Sequence, residues 1–388
     1  MSEKMIRRVG SKRVLVIAGE ASGDLHGANL VKAVHRVAPE VRFCGIGGEN
    51  LRKVGTELLF HNSQLAVVGI LEVLTKLHSI LRAFGRVKQT LAEENLDLAI
   101  LIDFPDFNLH VASHLKRRGV PILYYISPQI WAWRGWRIQK IKRLIDKMVV
   151  VLPFESSVYR DEGLDVAFVG HPLLDVVRTR SRPGEFLSHL GVDRKRQIIG
   201  LFPGSRDHEV RRLLPVMLDA AGLMVRQFPD LHFLISVAPG IHSEEVQRLV
   251  GNHNLPSTIV ENNPYDMMAV SELLVVASGT VTLEAAILNT PMVILYKVSP
   301  LTYWMGRPMV RVKHIGLVNL VAGRTVAPEL IQGRASPGRI AQEALSILTD
   351  RERFSAMKSA LVAVKQKLGT PGASDRTARL ALEMMNRT

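Results

Sequence analysis

Asp103 and Asp106 stand three residues apart in AILIDFPDFN (99–108), where a short apolar run ends. A carboxylate at the tip of a strand can act as a general base, taking the proton of a hydroxyl as its oxygen attacks. One of the pair can instead cap the next helix, which suits Asp106 and leaves Asp103 as the candidate base. The second half carries a different chemistry. Pro203-Gly204-Ser205-Arg206 follows QIIGLF (197–202), combining close backbone approach at glycine with a guanidinium suited to bidentate phosphate contact. Ser278-Gly279-Thr280 follows the apolar ELLVVA and opens a helix whose free N–H groups and positive dipole end attract an anion. Glu284 lies one turn further along the same face, where it can accept hydrogen bonds from sugar hydroxyls. Each signal also has a plain structural reading: a turn with Arg206 on the surface, or a capped helix with Glu284 solvated.

VLVIAGEASGDLHG (14–27) runs from an apolar strand through glycines toward a helix, yet it is no dinucleotide loop. Its glycines at 19, 23 and 27 miss the G-x-G-x-x-G spacing, and Glu20 and Asp24 would repel a pyrophosphate. Gly19, Glu20, Ser22 and Asp24 are therefore candidates for contact with a sugar or phosphate through backbone and hydroxyl-binding groups. For Asp24 a helix cap is the competing role. YYISPQIWAWRGWRIQKI (124–141) holds Trp131, Trp133 and Trp136 beside Arg134 and Arg137. That mixture suits a sugar face, a phosphate or a lipid interface, or else a packed aromatic cluster. His110 and His114 lack a third metal ligand and read as a solvated helix face.

These residues need strands that deliver them to one edge. Short runs rich in Val, Ile and Leu fall at 13–18, 41–46, 97–102, 121–126 and 147–151, and again at 197–202, 231–237, 257–261, 272–278 and 291–298. Helical patterns such as 25–37, 70–94 and 107–118 separate them, which implies right-handed βαβ units. A polar stretch at 178–195 interrupts the rhythm. The expectation is an α/β protein of two doubly wound Rossmann-like domains facing a cleft: residues 1–175, residues 176–345, and C-terminal helices 346–388 packing back on the first domain. In such sheets ligands bind beyond the carboxyl ends of the strands.

The 388 residues are 47% hydrophobic and 22% charged, the composition of a globular protein. No run of about 18 uncharged apolar residues marks a membrane span, and the first residues lack the apolar core of a secretory peptide, so a cytoplasmic location is expected. Cys44 is the only cysteine, excluding an internal disulfide. Lysine and arginine (50) exceed aspartate and glutamate (36) by 14, a field that suits phosphorylated substrates or an anionic membrane surface. Nucleic acid is not indicated, since no zinc-finger spacing, RNP motif or long basic run is present.

PGSR, ASGTVTLE (277–284) and LVNLVAG (317–323) together resemble the donor half of a GT-B glycosyltransferase. With GEASGD (19–24), LAVVGILEVL (65–74), IDFPDFN (102–108), YYISPQIWAWR (124–134), LPFE (152–155) and FVGHPL (168–173), the chain resembles the lipid-A-disaccharide synthase family from about residue 12 onward. The resemblance implies an inverting, metal-independent transferase without cofactor. It would join UDP-2,3-diacylglucosamine to 2,3-diacylglucosamine 1-phosphate, releasing UDP and forming a β-1,6 linkage in lipopolysaccharide biosynthesis. Asp103 would be the base, with Arg206 and Ser278–Thr280 stabilising the departing UDP, Glu284 orienting ribose and Asn319 contacting the nucleotide. Gly19, Glu20, Ser22, Asp24 and Trp133 would face the acceptor.

Acylated substrates also call for an apolar slot or for peripheral contact with the anionic inner-membrane surface. GILEVLTKLHSILRAFGRVK (69–88) offers an apolar stripe of Ile70, Val73, Leu74, Leu77, Leu81 and Phe84 among basic residues, fitting either core packing or an interface. WMGRPMVRVKHIG (304–316) is a second basic and apolar stretch. The competing readings are another GT-B enzyme of UDP-N-acetylglucosamine, whether undecaprenyl-linked transferase or epimerase, and a non-catalytic membrane-surface protein. The oligomeric state is not encoded in any of these patterns.

Overall fold

The computed structural model describes residues 12–65, 70–133, 137–299, 303–304, 307 and 312–387, with the side chains of 70–77, 132–133 and 387 left aside. The chain divides into two compact units. Unit 1 comprises residues up to Pro172 together with those from Thr370 on, and unit 2 is Leu173–Gly369.

Among the described residues, unit 1 holds seven strands: β1 (Arg13–Ala18), β2 (Arg42–Gly47), β3 (Glu57–His61), β4 (Leu98–Ile102), β5 (Ile122–Tyr125), β6 (Lys147–Val150) and β7 (Val166–Phe168). They are parallel throughout, in the order β3-β2-β1-β4-β5-β6-β7. Unit 2 holds β8 (Gln197–Phe202), β9 (Leu231–Val237), β10 (Ser257–Glu261), β11 (Leu273–Ala277), β12 (Met292–Tyr296) and β13 (Glu329–Ile331). These too are parallel, in the order β10-β9-β8-β11-β12-β13. Each unit is thus a doubly wound α/β layer structure. Strand order reverses between β1 and β4 in one sheet and between β8 and β11 in the other.

The ten apolar runs all form strands, because a strand covered on both faces must be apolar at every position. All five residues of β4 are buried. Three strands were not anticipated, and all three are sheet edges: β3, β7 and β13. Their residues are mostly half-buried and the strands are short: β7 is only three residues, and β3 and β13 each begin with a glutamate, so none stands out as an extended apolar run.

The first helix also departs from expectation, spanning Ala21–His35 and so starting four residues before the anticipated position. Gly23 and Gly27 consequently lie inside it. A Cβ on Gly27 would sit 3.0 Å from Ile102 Cδ1, and one on Gly23 3.6 Å from Ile102 Cγ2. These two glycines bring the helix close to β4, not the backbone to a ligand. Of the C-terminal stretch 346–388, the Arg351–Lys367 helix belongs to unit 2, and only the Ala373–Arg387 helix groups with unit 1. There it lies on the Ala21–His35 helix, with Arg376 Nε donating to Val169 O at 2.8 Å and Lys12 Nζ to Met385 O at 3.1 Å.

Candidate functional site

The reversal between β1 and β4 sets Ala18 beside Ile102, so the chain leaves the sheet at Gly19 and Asp103 side by side. Asp103 and Phe104 both adopt left-handed backbone, with φ of 43° and 47°. Such residues cost about 1–3 kcal/mol each and persist only where their surroundings over-determine them. Here the determinants are visible. Asp103 N donates to Tyr125 O at 3.2 Å. Its carbonyl accepts from the Tyr124 hydroxyl at 2.5 Å and from Asn108 Nδ2 at 2.6 Å, and the same amide nitrogen reaches Ile102 O at 3.2 Å. The turn folds the Phe104 ring against Gly19, where an added Cβ would lie 2.3 Å from ring carbons.

The half-buried Asp103 carboxyl is pushed up to about 6, chiefly by burial and then by the nearby charge of Glu20, against a lowering bond from the Phe104 N–H. Glu20 and Ser22 are exposed at the start of the first helix. Asp24 is committed elsewhere. Its buried carboxylate accepts from the N–H groups of Gly48 (2.6 Å), Asn50 (2.9 Å) and Leu51 (3.1 Å), capping the Glu49–Lys53 helix in place of its own. Asp106 is no cap either; exposed in the first helical turn, it pairs with Arg137 at 2.5 Å. His110 and His114 bond to carbonyls one turn back on their own helix. Trp131 is half-buried against Phe154, ring centroids 4.8 Å apart. The Trp133 side chain, Arg134 and Trp136 lie outside the described residues.

At the reversal of the second sheet, the PGSR and SGT turns border one cavity of about 510 Å³. Gly204, Ser205, Arg206, Ser278, Gly279, Thr280 and Glu284 all line it. Gly204 has φ of 124°, and a Cβ there would lie 2.6 Å from the Glu209 Cβ, so glycine is required at this turn. Glu209, in the first turn of the Asp207–Gln227 helix, reaches back to accept from Ser205 N at 3.0 Å. Arg206 remains half-exposed, 3.5 Å from the same carboxylate. Ser278 Oγ donates to Ile315 O at 3.2 Å, while nothing lies within 4 Å of a Cβ placed on Gly279. Burial raises the Glu284 carboxyl, against the lowering bond it accepts from the Tyr265 hydroxyl at 3.3 Å. Tyr265 and Glu209 were not singled out beforehand; NNPY directly after β10 and E three residues after PGSR are the signals that point to them.

A cavity lined by Arg206, the SGT turn and Glu284 at one sheet and a raised carboxyl at the other offer groups that sugar transfer could use. Comparison with known proteins decides the family. The sequence profile described as lipid-A-disaccharide synthetase matches residues 14–383. The lipid-A-disaccharide synthase of Geobacter sulfurreducens is 46% identical over 377 residues, covering 97% of this chain and 98% of that protein. The chain belongs to the lipid-A-disaccharide synthase family. The Syntrophus aciditrophicus family member is 47% identical, covering 98% of this chain and 100% of its own. Among solved structures, a putative UDP-N-acetylglucosamine 2-epimerase from Listeria monocytogenes superposes with a TM-score of 0.64 at 15% identity, covering 97% of each chain. The MurG of Acinetobacter baumannii does so at 0.58 and 13%, covering 96% of this chain and 99% of its own. These distant likenesses concern the fold alone.

One expected site residue of this family member does not reach the cavity. Asn319 is fully buried, and its amide is saturated by its own unit. Nδ2 donates to Ala327 O and Glu329 Oε1, both at 2.8 Å, and Oδ1 accepts from the N–H groups of Val326 (2.6 Å) and Ala327 (3.0 Å). It stitches the Leu317–Ala322 helix to the segment entering β13, with no valence left for a nucleotide. Among the described residues no three His, Cys, Asp or Glu side chains gather as metal ligands, and no helix is long and apolar enough to cross a membrane.

Proposed function

We propose that this lipid-A-disaccharide synthase family member transfers 2,3-diacylglucosamine from UDP-2,3-diacylglucosamine to the 6-hydroxyl of 2,3-diacylglucosamine 1-phosphate, by one inverting displacement. Asp103 removes the hydroxyl proton as the oxygen attacks the anomeric carbon, and a carboxyl titrating near 6 is matched to that task at neutral pH. The sugar gains positive character while negative charge passes to the departing UDP. Arg206 and the N–H groups of Gly279 and Thr280 take up that charge without a metal ion, as preorganised donors do, while the Ser278 N–H stays bonded to Leu295 O. Glu284, supported by Tyr265, receives the ribose hydroxyls. Gly19, Glu20 and Ser22 contribute the acceptor side. The reaction requires both halves to serve one reacting pair, the GT-B arrangement expected from the sequence.

The observation that carries this reading is positional. Each cluster stands at the order reversal of its own sheet, where open α/β sheets bind ligands. The epimerase and undecaprenyl-linked readings share this donor logic, but the full-length kinship lies with the synthases. Measuring UDP release from the acylated donor and acceptor tests the assignment. Asp103→Asn should lose at least ~100-fold in turnover with donor binding intact, and near-normal turnover would sink it. We place the enzyme at the cytoplasmic face of the inner membrane, where acylated substrates reside and its basic surface meets anionic lipid.

A further inference from the structure

Glu155 is 2% exposed and takes no part in the chemistry above. It opens the Glu155–Arg160 helix just after β6, behind the segment that leaves β5. Its Oε1 accepts from Ser127 Oγ at 2.8 Å and from the Trp131 indole Nε1 at 3.1 Å, and its Oε2 from Leu152 N at 3.1 Å. Every one of these partners is a donor, so the surroundings are built for an acceptor. The loop it grips is otherwise unfavourable: Ile126, at its start, has φ of 64°, a genuine outlier for a β-branched residue. Tyr159, on the same short helix as Glu155, adds a hydroxyl bond to Pro128 O at 2.7 Å. The stem of this loop is the pair Tyr124 and Tyr125, whose hydroxyl and carbonyl bond to the Asp103 backbone.

We infer that Glu155 is a positioning residue, holding the 126–129 loop with the start of the Ile130–Trp133 helix and, through Tyr124 and Tyr125, the Asp103 turn in the geometry the transfer needs. The inference rests on the assignment of Asp103 as the base. The three donors need an acceptor, but the ionisation of Glu155 does not favour folding. Burial lifts it to about 7, against lowering bonds from Ser127, Leu152 and Trp131. A carboxyl whose folded value exceeds its unfolded one lowers stability as pH rises from about 4.5 to 7, so ionising Glu155 costs stability over that interval.

Replacing Glu155 by Gln turns one acceptor into a donor facing donors. The displacement of the loop should lower kcat about 10- to 100-fold with donor KM unchanged, the scale of a misplacement near 1 Å. The Trp131 indole N–H resonance, identified by its loss in Trp131→Phe, should move in the same variant. Ser127→Ala, a milder change, should shift that resonance and lower kcat in the same direction; it decides the matter should Glu155→Gln fail to fold. Added to Asp103→Asn, Glu155→Gln should cost less than about twofold more, because the two act through one group. A shifted resonance with unchanged kcat overturns the inference, as do losses that multiply in the double variant. Near-normal turnover of Asp103→Asn alone instead removes the base assignment, so the two failures are told apart.

Discussion

At the scale of single residues, the proposed mechanism depends on a carboxyl placed where it is reluctant to ionise. With Asp103 raised to about 6, kcat/KM should climb about tenfold per pH unit below that value and level off above it. The same shift has the opposite sign for folding. Asp103 binds its proton more tightly folded than unfolded, so stability falls as pH rises from about 4 to 6. Asp103→Asn should therefore show a higher urea midpoint than the parent at pH 7.5, with the gap closing toward pH 4. The positions of Asp103, Gly204 to Arg206 and Ser278 to Glu284 beyond their strands were legible because parallel strands deliver their next residues to a predictable edge. Asp24 and Asn319 were not. Their partners arrive from residues 48–51 and 326–329, and no local pattern announces which polar group a distant backbone will claim.

At the scale of elements, the central strands declared themselves and three of the four sheet edges did not, β10 being the edge that was anticipated; continuous apolarity is the signature of burial on both faces. Gly45 shows how tightly the centre is set. It has φ of 152°, and a Cβ there would lie 1.8 Å from the Val16 carbonyl oxygen of β1, a backbone atom that cannot step aside. Gly45→Ala should lower the unfolding free energy by about 3 kcal/mol, read by urea titration. Asn319→Ala would leave the Val326 and Ala327 N–H groups without their acceptor, costing roughly 2–4 kcal/mol. UDP affinity should fall far less in that variant than in Arg206→Ala, which calorimetric titration would show. The long Ile70–Glu93 helix divides the stripe read from its sequence. Ala83, Val87 and Leu91 are buried and Phe84 packs on the core, whereas Leu81 is 59% exposed beside Arg82. Ile70, Val73, Leu74 and Leu77 have side chains outside the described residues.

At the scale of the whole molecule, the excess of 14 positive charges and the outward Leu81 and Trp304, the latter 68% exposed with Arg307 over its ring at 6.0 Å, suit an anionic surface. The rest of the 304–316 stretch is only partly within the described residues. Flotation with acidic vesicles should weaken as salt rises from about 0.05 to 0.5 M, because screening shortens the reach of surface charge. Reversal of Arg82 and Arg86 together should weaken it further, and equal binding would exclude that helix as the contact. The two units were legible in the repeated strand rhythm, but the return of the chain to unit 1 near residue 370 was placed too early, since one amphipathic helix looks much like the next. That return has a consequence for biosynthesis. A nascent chain emerges N-terminus first and its domains ordinarily fold in that order. Here the Ala21–His35 helix must wait for Ala373–Arg387, translated after the whole of unit 2, before the two can pack. Unit 2 therefore has its entire sequence outside the ribosome before unit 1 does, although unit 1 begins first.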